Sequence, residues 1–66
     1  MKRWNTTNRK NETNKKIDDY LNEIIEISKK HGFSISHQDR HGSFEIRKYD
    51  QSLTEWLLGA NDTSGE

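Results

Sequence analysis

The stretch His31-Gly32-Phe33-Ser34-Ile35-Ser36-His37-Gln38-Asp39-Arg40-His41-Gly42-Ser43-Phe44-Glu45-Ile46-Arg47-Lys48 decides the fold, because the apolar period is two along its length. Phe33, Ile35 and His37 alternate with Ser34, Ser36 and Gln38. Phe44, Ile46 and Lys48 alternate with Glu45 and Arg47. Alternation of this kind predicts strands, and Asp39-Arg40-His41-Gly42 between them carries turn chemistry. Pairing Ile35 with Ile46 puts Phe33, Ile35, His37, Phe44, Ile46 and Lys48 on one face. A slip of one residue breaks that face, so the register is well specified. The prediction is a β-hairpin whose apolar face turns inward, His37 included.

On the N-terminal side of Gly32 the period is helical. Ile17, Tyr20, Leu21, Ile24, Ile25 and Ile27 form a core-facing stripe about 160° wide at 100° per residue. Thr13 or Asn14 is suited to cap the start, with Asp18 and Asp19 near the positive end of the helix dipole. Lys29, Lys30 and His31 followed by Gly32 read as a stop, with Gly32 in the left-handed position and Phe33 packing back on Ile27. On the C-terminal side, Ser52-Leu53-Thr54-Glu55 matches a capping box with Ser52 at the N-cap. Leu53, Trp56, Leu57 and Ala60 share the face of a short helix, and Leu58 points about 100° away from it. The predicted fold is α+β, a small single domain of α-β-β-α order, with an antiparallel hairpin packed on one long and one short helix.

Sixteen of the 18 hydrophobic residues lie between positions 14 and 60. Residues 1–13 are therefore expected as a flexible basic N-terminal arm, and 61–66 as a disordered tail, since no apolar burial offsets the entropy of ordering them. The 47 residues between are a thin core for independent folding. Self-association through a hairpin edge, as a homodimer, and cover by a partner over Leu58 and Ile25 both stay open.

Composition narrows the function. There are eleven residues of each charge and no net charge, no Cys and no long apolar run. These exclude a disulfide scaffold and a Cys-based zinc site, and predict neither a signal peptide nor a membrane span. A cytoplasmic location, here that of a host cell, is expected. No phosphate loop, dinucleotide fingerprint or nucleophile elbow is present, so an enzyme is not expected, nor any catalytic residue or cofactor. Ser34 and Ser36 have no supporting motif. His31, His37 and His41 with Asp39 have ligand chemistry, but their spacing does not make a ready metal site, and no metal is expected.

Two surfaces remain. The first is the hairpin turn, Arg40 and His41, with Trp56 and Leu58 of the short helix, since large aromatic side chains anchor protein interfaces. The second is the basic arm, where Lys2, Arg3, Trp4, Arg9 and Lys10 offer phosphate contacts and one stacking ring. Six basic residues against one acid in 1–16 stand opposite four acids and no base in 49–66, so the net neutrality is a cancellation between the two ends. Zero net charge gives no general attraction to nucleic acid, which makes that the secondary reading.

The segment from Ile27 to Asp50, with its Lys-x-Gly helix end, Ser-Ile-Ser-His strand and His-Gly-x-Phe return, closes on Glu55-Trp56-Leu57-Leu58-Gly59-Ala60. It resembles small uncharacterised phage and prophage proteins of Gram-positive bacteria over about half the chain. The resemblance implies a non-enzymatic accessory protein that binds and modulates a host or phage protein. It implies no activity and no site residues, and the basic arm falls outside it.

Overall fold

The computed structural model describes residues 1–38, 40 and 42–66. The order of elements is β1 (Lys2–Asn5), β2 (Lys10–Thr13), α1 (Lys15–His31), β3 (Phe33–Gln38), β4 (Ser43–Lys48) and α2 (Gln51–Leu58). The chain is an α+β domain with two separate antiparallel hairpins, β1-β2 and β3-β4, rather than the one expected.

The long helix forms where the apolar stripe predicts it. Asn14 caps it, its side-chain oxygen accepting from the amides of Lys16 at 3.0 Å and Ile17 at 3.4 Å. Gly32 ends it at φ 76°, a left-handed backbone that a side chain would strain, and its N–H donates to the Ser28 carbonyl. The second helix starts earlier than the capping-box reading places it. Asp50, not Ser52, is the N-cap, and its carboxylate accepts from both the amide and the hydroxyl of Ser52. An ionised acceptor at an N-cap makes a stronger, charge-assisted bond than a hydroxyl, which explains the shift.

The β3-β4 register is the expected one, with Phe33 opposite Lys48, Ile35 opposite Ile46 and His37 opposite Phe44. Its orientation is not. Ser34 and Ser36 are buried at 3% and 6% exposure, whereas Phe33, Phe44 and Ile46 keep more than half their surface in water. The inward face of β3 is therefore the serine face. Small side chains let the strand approach the helices closely, and the Ser34 hydroxyl accepts the Asp50 amide at 2.9 Å, so the buried oxygen is not left unpaired. Ser34 lies among Ile25, Ser28, Leu53, Thr54 and Leu57, where the two helices meet the strand.

Only part of the α1 stripe is covered. Leu21 and Ile25 are buried, Ile17 and Ile24 are half-buried, and Tyr20 and Ile27 are exposed. Both helices pack on β3, and among the described residues the backbone of β4 lies close to β3 alone. The hairpin thus projects from the helices, and the molecule is open for its size. Its radius of gyration is 12.8 Å, against about 11 Å for a compact chain of this length.

The N-terminal segment also departs from expectation. Residues 1–13, read from sequence as a flexible arm, form the β1-β2 hairpin with Lys2 opposite Thr13 and Asn5 opposite Lys10. The Asn5 side chain accepts from the amides of Thr7 and Asn8, shaping the turn, and Arg9 takes a left-handed φ of 56° to close it. Residues 61–66, read as a disordered tail, are engaged too. Asp62 is 2% exposed and bridges β1 in parallel fashion, its amide donating to the Trp4 carbonyl at 2.7 Å and its carbonyl accepting from Thr6 at 2.9 Å. Hydrogen bonding, not apolar burial, orders both ends.

Candidate interaction surface

The polar end of the molecule is organised around two side chains. Arg3 is 3% exposed, and its guanidinium donates to the carbonyls of Leu58 and Ala60, both at 2.9 Å, and to Asp18 Oδ1 at 2.7 Å. One residue thereby joins β1 to the start of α1 and the end of α2. The planar fork of Arg suits such divergent acceptors, and its Nε alone lacks a partner. The Arg3 hydrogen bond, aided by the N-terminal ammonium, holds the Asp18 carboxyl below the usual carboxylate range. Asp62 is the second centre. It accepts from the hydroxyl and amide of Ser64 and from the side-chain amides of Asn5 and Asn14. The Ser64 bonds are the main cause of its lowered pKa.

This arrangement removes Arg3 from the basic surface expected of the arm. Lys10 lies 3.5 Å from Glu12, while Lys2, Trp4 and Arg9 remain exposed. Lys2 and Trp4 share the outer face of β1, opposite the face that carries Arg3 and Asn5. The five residues therefore do not form one nucleic-acid-facing set.

The other expected surface is likewise divided. Trp56 is 45% exposed, and its ring lies 4.8 Å from that of His37. Leu58 sits elsewhere, in a depression with Met1, Asp18 and Asn22, beside the carbonyl that Arg3 holds. Arg40 is exposed, and His41 lies outside the described residues, as does Asp39. His31 borders a groove at the Phe33 end of the hairpin, away from Trp56 at the His37 end. Among the described residues no three His, Cys, Asp or Glu side chains cluster with metal-ligand geometry, and none of the helices is long and apolar enough to cross a membrane.

What the structure assembles instead is an open, largely apolar surface on the outward face of β3-β4, bordered by α1 and by Trp56 of α2. Its rows are the cross-strand pairs Phe33–Lys48, Ile35–Ile46 and His37–Phe44. Trp56 extends it at the His37 end. At the Phe33 end a groove of about 420 Å³ is lined by Ile24, Ile27, His31, Phe33, Ile35 and Ile46. Ile46 is 58% exposed, Phe44 72% and Phe33 54%, so most of the large side chains of this hairpin are wet. Sequence reasoning found every one of these residues but assigned their face to the core. The signal for the reverse is the paired small polar residues Ser34 and Ser36, which fit a tight strand–helix contact better than Phe33 and His37 do. Comparison with known proteins finds no family model, curated protein or solved structure that matches this chain.

Proposed function

We propose that this chain is a non-enzymatic binding protein that acts by holding another protein on the outward face of β3-β4. The observation that supports this most is the exposure of Phe33, Phe44, Ile46 and Ile27 in a chain with so few buried apolar side chains. Leaving these groups wet forgoes about 1.5–3 kcal/mol of burial per side chain, which a contact with an apolar partner surface recovers. Trp56 supplies an aromatic anchor at one end of the face, and Arg40 a cation near the turn. The resemblance to phage proteins suggests a host or phage protein as the target and the cell interior as the place. Nucleic-acid binding is the weaker reading, because Arg3 is committed to Asp18 and to backbone carbonyls.

The test is affinity capture from a bacterial host lysate with the intact chain and with a Phe44→Ser, Ile46→Ser variant. A protein retained by the first and lost from the second, at unchanged circular dichroism, supports the reading. Retention of nucleic acid alone, released steeply by salt and lost on Lys2→Glu with Arg9→Glu, would replace it with the secondary one.

A further inference from the structure

The outer edge of β4 carries a pairing code of its own. In the β3-β4 ladder the Tyr49 amide donates to the Gly32 carbonyl at 2.9 Å, which marks Gly32 and Tyr49 as a hydrogen-bonded pair. Antiparallel ladders alternate, so Arg47, Glu45 and Ser43 also direct their backbone groups at β3. Phe44, Ile46 and Lys48 then point their N–H and C=O groups outward. Among the described residues β4 pairs with β3 alone, and both helices stop at β3, so nothing covers this edge.

We propose that this edge pairs antiparallel with the same edge of a second copy, in the register that sets Ile46 opposite Ile46 of the partner. A two-fold axis normal to the sheet keeps like faces together, so only residues of the same face can stand opposite one another. Among such registers, centring on Glu45 opposes two carboxylates, and centring on Arg47 opposes two guanidinium groups. Centring on Ile46 sets Glu45 of each copy against Arg47 of the other, twice. These charged pairs fall at the non-hydrogen-bonded positions, where side chains come closest. Phe44, Ile46 and Lys48 occupy the hydrogen-bonded positions, which is what their outward backbone groups require. Lys48 stands opposite Phe44, its aliphatic stem against the ring.

Charges on an exposed edge usually prevent such pairing. Here they select one register of it. Glu45 and Arg47 are exposed, and neither makes an ion pair among the described residues, although Arg47 is near enough to Asp50 to help lower its pKa. The resulting four-stranded sheet sets two apolar faces side by side. The pairing rests on the strand edge and stands whether or not that face binds a different protein.

Sedimentation equilibrium on the full chain tests it. The chain should dimerise, and Glu45→Arg or Arg47→Glu alone should raise the dissociation constant at least about tenfold by opposing like charges. The double exchange, E45R with R47E, should restore dimerisation, which a general folding defect would not allow. Ile46→Pro should give a monomer with intact circular dichroism, since it removes only an outward amide. A chain that stays monomeric at about 1 mM overturns the proposal. So does a dimer insensitive to the charge variants but lost on Phe33→Ser, which would mean face-to-face association.

Discussion

The two hairpins of this protein reverse the usual relation between apolar content and attachment. β1-β2 has one large apolar side chain, Trp4, and is fixed to the rest of the chain by Arg3, Asn5 and Asp62. β3-β4 holds two Phe and two Ile, yet it buries Ser34 and Ser36 while Phe33, Phe44 and Ile46 stay exposed, and it meets the helices through Ser34, Ile35 and the His37–Trp56 ring contact. Burial in this chain is assigned by hydrogen-bond geometry as much as by hydrophobicity. A polar strand is held when each of its buried groups finds a partner. An apolar strand is left open when its small residues make the better internal contact.

The largest effect expected from disturbing this contrast is at Arg3. Arg3→Met keeps the volume but removes the donor to two carbonyls and to Asp18 Oδ1, and should lower the unfolding free energy by about 3 kcal/mol in urea denaturation. For a domain this small that is a large share of the total. Asp62→Ala should follow, lowering the urea midpoint and exposing the Thr6 amide to rapid hydrogen exchange. An unchanged exchange rate there would show that β1 is held without the C-terminal segment.

Acid should loosen the first hairpin before the second. Asp18, Asp50 and Asp62 all have lowered pKa values in the folded chain, through Arg3, Ser52 and Ser64 respectively. A carboxylate with a lowered folded pKa contributes stability that is fully present above its unfolded value of about 3.9 and is lost as pH falls through the folded value. Thermal unfolding should therefore vary little from neutrality to about pH 5 and fall below about pH 4. Two of the three groups hold β1-β2, so its amides should lose protection first. The smallest effect should come from Phe44→Ser in dilute, monomeric chain, within about 0.5 kcal/mol despite the loss of a whole aromatic ring. A loss of several kcal/mol would mean that the outward face is a buried one.

Much of the second half was legible in the sequence. The helix, its Gly32 stop, the change of period and the Ile35–Ile46 register all follow from local patterns that the structure shows. The facing of the hairpin was not, because periodicity groups residues by face without saying which face meets the helices. Ser34 settles that through a bond to Asp50, sixteen residues on, which no local window contains. The first hairpin was illegible for a related reason. Lys2 to Thr13 has no apolar alternation to detect, and the acceptors that order it, at Asp18, Leu58, Ala60 and Asp62, are spread along the chain. Of the expected contact residues, Trp56, whose helix face reads as mostly core, is 45% exposed, and Arg40 is exposed. Leu58 is drawn off by the carbonyl bond to Arg3 and packs beside Met1 instead.

Amide hydrogen exchange of the intact chain, followed by NMR at low and high protein concentration, is the decisive test of this contrast between the hairpins. Thr6, Arg9 and Asp62 should be protected at both concentrations, since their amides donate within the fold. Phe44, Ile46 and Lys48 should exchange freely in dilute solution and become protected together as the concentration rises. Free exchange at Thr6 and Asp62, or protection at Ile46 that ignores concentration, would contradict it.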